Sequence, residues 1–322
     1  MIFSSKATSA APRAAGGARF ALLGALCLGL LSACGGSTSQ LDPFIAGRLL
    51  VFGDDTSAIT PSGQKYSVNA VDASGNLACS GEPLWVQSLA SLYGFEFAEC
   101  NPGFAQPLAF MRAAAGARVA DVVAQVEAQV AAGGFRDKDL ATVLAGTNDI
   151  LDLYAQVPGR SVDSLVAEAG ARGAALAAVV NRLVGLGVKV IVSDLPDMGL
   201  SPYALAERAL DPFGFDHAAL ISQLCQAFSD QLGVKVVLDG RYVGLVQAQL
   251  RFKTIGVSPA SFGLSNITDA VCAIALPNCT TSTLITGGSS TAYLWADSTR
   301  LSTGGQTQLA SLAIDRARRN PF

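Results

Sequence analysis

The chain has 322 residues, half of them apolar and 15% charged, with a formal net charge of −3 and one histidine. That composition supplies a sizeable core. The mildly acidic balance argues against a nucleic-acid partner, which wants a basic surface. The one histidine and the cysteine spacings give no zinc site, so no metal or cofactor is expected.

The N-terminus reads as a targeting segment. Lys6, Arg13 and Arg19 precede an apolar run from Phe20 to Leu31. The run is shorter than the roughly 20 residues needed to span a bilayer and has the flanks of a signal-peptide core. It ends in Leu31-Ser32-Ala33-Cys34, which resembles the bacterial lipobox, where cleavage leaves an acylated cysteine at the new N-terminus. The expected organisation is a leader over 1–33, a tether over 34–46 and one domain over 47–322. The expected location is the bacterial cell envelope, with Cys34 carrying a lipid anchor that holds the chain to a membrane on the periplasmic or outer-membrane side. Loss of the leader removes three cations and no anion, which takes the net charge from −3 to −6.

The elements follow in chain order. Leu49 to Phe52 is a short, solid apolar run and predicts a buried strand. A polar stretch from Thr56 to Gly81 reads as a loop. Leu84 to Leu92 has helical spacing. Arg118 to Ala132 predicts an amphipathic helix with Val119, Val122, Val123, Val126 and Val130 on its buried face. Leu140 to Ala145 predicts a second strand. Ser161 can cap a helix that runs to Leu186. Val188 to Val192 predicts a third strand. A helix over Asp216 to Leu232 follows, then a fourth strand over Val234 to Leu238 and a helix over Tyr242 to Phe252. Thr254 to Ala292 reads as irregular, and a helix from Gly305 to Arg318 ends the chain. Solid apolar strands alternating with helices predict an α/β three-layer sandwich, a mostly parallel sheet with helices on both faces. Its sites belong beyond the carboxyl ends of the strands.

Five cysteines remain after Cys27 and Cys34. Cys79 with Cys100 and Cys272 with Cys279 are expected local disulfides, as suits an oxidising compartment. Cys225 sits in an apolar helical pattern and is expected to be a buried thiol.

Four segments carry possible chemistry: Phe52-Gly53-Asp54-Asp55, Ala115-Gly116-Ala117, Gly146-Thr147-Asn148-Asp149 and Ala296-Asp297-Ser298-Thr299-Arg300. Each alone has a bland reading as a cap or a turn. In this order and spacing they resemble the four sequence blocks of the SGNH or GDSL hydrolases, an α/β sandwich family of esterases, lipases and acyl transferases. The resemblance implies a role for each matching position. Asp55 stands at the nucleophile position, where the family has serine. Gly116 and Asn148 match the oxyanion-hole donors. Asp297 matches the triad acid. Arg300 stands at the base position, where the family has histidine.

The supporting groups are therefore kept and the reacting groups replaced. A serine hydrolase needs a hydroxyl that can pass its proton to a base of near-neutral pKa. A carboxylate attacks esters less readily than an activated alkoxide, and a guanidinium does not act as a base in proteins. Loss of a triad member costs about 10⁴ to 10⁶ in turnover. The expectation is an impaired hydrolase retained for binding an acyl, glycan or polymer ligand, or for an envelope role. The alternative is an active ester hydrolase that uses Asp55. The same geometry would pair the Asp55 carboxylate with the Arg300 guanidinium, with Asp297 as a second acceptor. His217, Ser57 and a cation site built from Asp54, Asp55, Asp149 and Asp297 are weaker candidates for activity. The Arg316-Ala317-Arg318-Arg319 tail reads as a solvated helix end.

Overall fold

The computed structural model describes residues 44–103, 105–211 and 214–319. The leader, Cys34 and most of the tether lie outside the described residues. No helix among the described residues is long and apolar enough to cross a membrane.

Five parallel strands form the central sheet. They are β1 (Arg48–Gly53), β2 (Ala109–Met111), β3 (Asp139–Leu144), β4 (Lys189–Ser193) and β5 (Val243–Val246), in the order β2-β1-β3-β4-β5. Leu49 to Phe52, Leu140, Ala141 and Val190 to Val192 are fully buried, as solid apolar strands covered on both faces should be. The crossovers carry α1 (Trp85–Leu92), α2 (Val119–Ala131), α3 (Thr147–Tyr154), α4 (Val162–Gly185), α5 (Pro202–Leu210) and α6 (His217–Lys235), and α7 (Ala248–Val257) and α8 (Thr303–Arg319) follow β5. Right-handed crossovers on either side of β1 send α1 to one face and α2, α4 and α6 to the other. Accordingly α4 packs on α2 and α6, and α1 packs on α8. Ser161 caps α4 by accepting the Ser164 N–H at 3.3 Å.

Several expectations are corrected. Val234 to Leu238 is not a strand. Leu220, Leu224, Phe228 and Leu232 keep the helical stripe of α6 going to Lys235, and Val234, Val237 and Leu238 are exposed. The fourth long crossover ends instead in β5, so the helix expected from Tyr242 starts only at Ala248. The short Val243-Gly244-Leu245-Val246 run is too brief to separate from helical spacing in sequence. On α2, Val123 is exposed while Gln129 is buried, where it accepts from Arg112 Nε and donates to the Gly134 carbonyl. The segment read as irregular holds the end of α7, a 3₁₀ turn and β6 (Asn266–Ala270), which pairs in parallel with β7 (Tyr293–Trp295). Strand β2, α3 and α5 carry no clear periodic signal in the sequence.

Both expected disulfides are present, and Cys225 is a buried free thiol whose pKa burial drives far up. The polar loop after β1 is folded inward. Lys65 is fully buried and donates from Nζ to the carbonyls of Cys79 at 3.1 Å, Glu82 at 2.8 Å and Gly81. Burial pulls its pKa down to about 8. Three carbonyls replace the lost water shell and make this burial tolerable.

Candidate functional site

The strand order reverses direction between β1 and β3, so the loops leaving their carboxyl ends diverge. Asp55 leaves β1 on one side, and Asn148 stands at the start of α3 on the other. Gly53, the last residue of β1, has φ +146°, and a Cβ there would meet the Leu144 carbonyl oxygen at 2.1 Å. The Gln125 side chain then clamps it, accepting from Gly53 N at 2.9 Å and donating to its carbonyl at 3.0 Å. The turn that follows is closed by Ser57 N donating to the Asp54 carbonyl at 3.0 Å and Thr56 N to Asp54 Oδ1 at 3.0 Å.

Three of the expected residues converge on the carboxylate of a fourth. Asp55 Oδ2 accepts from Gly116 N at 3.0 Å and from Asn148 Nδ2 at 2.8 Å. Asp55 Oδ1 lies 3.3 Å from Arg300 Nη2, with the Asp55 side chain 7% and the Arg300 side chain 25% exposed. Asn148 is held in place because Nδ2 also donates to the Ala117 carbonyl at 3.0 Å.

Asp297 does something else. Its Oδ1 accepts the backbone N–H of Thr299 at 2.7 Å and of Arg300 at 2.6 Å, an Asx turn that presents residue 300. It is therefore not a second acceptor for the guanidinium, because its oxygen is turned under its own loop. The guanidinium donates from Nη1 to Thr299 Oγ1 at 2.6 Å instead.

The weaker candidates go elsewhere. Asp149 caps α2 by accepting from Val119 N at 3.0 Å and is braced by Arg172 at 3.3 Å. No cluster that could hold a metal ion occurs among the described residues. Ser57 accepts from Trp85 Nε1 at 3.0 Å inside the core. His217 Nδ1 lies 2.7 Å from the Tyr154 hydroxyl, at the other end of α3 from Asn148. Six residue steps of helix separate those two positions, about 9 Å of rise. Sequence reasoning missed Gln125 and Thr299. Neither carries a signal, since Gln125 acts on a loop that folding brings to it and Thr299 acts only through the guanidinium of its neighbour Arg300.

Asp54 is fully buried beside Asp55, and one of its oxygens has no partner. Burial, then the Asp55 charge, pushes its pKa up to about 7. A carboxyl raised in the folded state from about 3.9 contributes its full stability below pH 4 and loses it as pH climbs to 7. Asp54→Asn is therefore expected to flatten the fall in stability between pH 4 and 7, by a few kcal/mol at an order-of-magnitude level. Urea unfolding midpoints at pH 4.5 and 8 check this, and an unchanged slope in the variant would refute it.

No family model matches the sequence, and no curated protein matches it. Solved structures do. A lipase from goat rumen metagenome superposes with a TM-score of 0.51 at 10% identity, over 85% of this chain and 99% of that one. An acetyl xylan esterase gives 0.45 at 11% identity, over 83% and 98%. A member of the lipolytic G-D-S-L family from Veillonella parvula gives 0.40 at 12% identity, over 83% and 96%. At these identities the likeness concerns architecture and leaves activity open. The five-stranded parallel sheet, its helical layers and the superposition on the lipase together give this chain an SGNH/GDSL hydrolase-like fold.

Proposed function

We propose that this chain is an exported lipoprotein, acylated at Cys34 and held in the bacterial cell envelope, whose hydrolase-like centre binds rather than turns over. One observation carries the reading. Asp55 places its own carboxylate oxygen on the two donors, Gly116 N and Asn148 Nδ2, that would otherwise receive the oxyanion of an ester. A substrate carbonyl must displace a charge-assisted pair of hydrogen bonds to enter, and these are the strong kind. Arg300 holds the other carboxylate oxygen and cannot take a proton from a nucleophile. Export is supported by the leader and by two disulfides, which suit an oxidising compartment. The ligand class is acyl, glycan or polymer.

The test is turnover of p-nitrophenyl acetate and of a long-chain p-nitrophenyl ester by the chain from Gly35 onward. No rate above that of buffer is expected, and Asp55→Ala should change nothing. Turnover that disappears in Asp55→Ala would instead make Asp55 the nucleophile or base of a working esterase.

A further inference from the structure

We infer that the edge of the sheet from which the strands start, opposite the candidate site, is a docking surface for an anionic lipid bilayer. The inference rests on the acylated Cys34 of the preceding reading for its tether.

The described body begins at Phe44, and Phe44 lies at this edge. Its ring stacks under Lys189 Nζ at 5.0 Å, and Lys189 opens β4. Residues 35–43 separate Cys34 from that point. Nine residues reach at most about 30 Å fully extended. A lipid on Cys34 therefore keeps this edge within reach of the membrane.

The edge also exposes apolar groups. The segments leading into β1, β2, β4 and β5 each present an aliphatic side chain to solvent. Ile45 is 72% exposed, Val237 61% and Leu238 56%, with Leu108 and Leu186 beside them. Adjacent strands lie about 4.8 Å apart, so five strands gather these groups within a width of about 19 Å.

The charge of the edge runs against that of the chain. Arg136, Lys138, Lys189, Lys235 and Arg241 lie in or beside these segments, against Glu96, Asp137 and Asp239, while Arg48 and Asp139 cancel in a 2.5 Å ion pair. The edge is net positive on a chain that is −6 without its leader. Helix C-termini collect at this edge and favour cations by themselves. They do not account for exposed isoleucine, valine and leucine. Cations with interleaved aliphatic groups fit anionic headgroups over an acyl boundary.

Docking in this way orients the molecule. Strand β1 has six residues and rises about 20 Å at 3.3 Å each. The Asp55–Arg300 centre would stand about that far above the bilayer, open to the aqueous compartment.

Every described element lies between Arg48 and Arg319, so a chain starting at residue 34 keeps them all. The experiment uses that chain with Cys34→Ser, floated with vesicles of phosphatidylcholine or of phosphatidylcholine with 30% phosphatidylglycerol. Partition onto the anionic vesicles is expected to be at least tenfold greater, to fall in 0.5 M NaCl, and to be lost in Ile45→Ser/Val237→Ser/Leu238→Ser. Thermal melting confirms that the variant is folded. Equal partition onto both vesicles, or no effect of the triple change, would overturn the inference. Mass analysis of Cys34 in the native chain tests the anchor separately. Anionic binding with an unacylated Cys34 would refute the anchor and keep the surface, and an acylated Cys34 without face-dependent binding would do the reverse.

Discussion

The double variant Asp55→Ser with Arg300→His is expected to hydrolyse p-nitrophenyl acetate at about 10² to 10⁴ times the uncatalysed rate, where the native chain is silent. Removing the carboxylate frees Gly116 N and Asn148 Nδ2, now 3.0 and 2.8 Å from Asp55 Oδ2, to receive an oxyanion. One such donor is worth about 10² to 10³ in turnover. The Asx turn of Asp297 uses backbone N–H groups, so it should survive the change at residue 300 and present the imidazole where the guanidinium now reaches Asp55. The two changes also cancel in charge. Asp55→Ser alone would leave Arg300 without its carboxylate and without a base to offer, and Arg300→His alone would lack a hydroxyl. Each single variant is expected to be silent, because such groups act as a unit. Steady-state rates of the four proteins decide the matter. A folded but silent double variant would mean that the centre does not hold its partners in working geometry. Activity in Asp55→Ser alone would reveal a base other than residue 300.

Gly173→Ala is expected to destabilise the fold by about 2–3 kcal/mol, although alanine is the better helix former. Helix propensity alone favours alanine by about 1 kcal/mol. Here a Cβ on Gly173 would lie 2.0 Å from the Phe228 carbonyl oxygen and 2.8 Å from its carbon, where α4 crosses α6. Those atoms are backbone and cannot rotate away. The helices must separate by roughly 1 Å against a close-packed core, and overpacking of that kind costs about 1–3 kcal/mol or more. The same substitution at Gly185, the last residue of α4, meets nothing within 4 Å. There only propensity acts, and a gain of up to about 1 kcal/mol is expected. Thermal or urea unfolding of the two variants compares them directly. A Gly173→Ala protein as stable as the parent would show that α4 and α6 are not as tightly apposed as this contact implies.

Local pattern alone made part of this protein legible. Solid apolar runs made β1, β3 and β4 legible, because a parallel strand buried on both faces has no polar side to show. Ser161 announced α4, and cysteine spacing announced both staples. The four short blocks pointed to Asp55, Gly116, Asn148, Asp297 and Arg300 through their order and spacing, which resemble those of the SGNH or GDSL hydrolases. What these groups do to one another depends on how the folded chain brings them together. Asp297 looked like a partner for the guanidinium, yet its carboxylate satisfies the N–H groups two and three residues on, a nearer and cheaper choice. Val234 to Leu238 looked like a strand, yet the stripe of α6 runs into it as far as Lys235 and leaves Val234, Val237 and Leu238 in solvent. Lys65 belongs to a stretch that reads as a loop, yet three carbonyls brought together by folding hold it in the core. The convergence of Gly116, Asn148 and Arg300 on Asp55 needs four segments spread over 246 positions to meet at one reversal of strand order, and no local pattern encodes such a meeting.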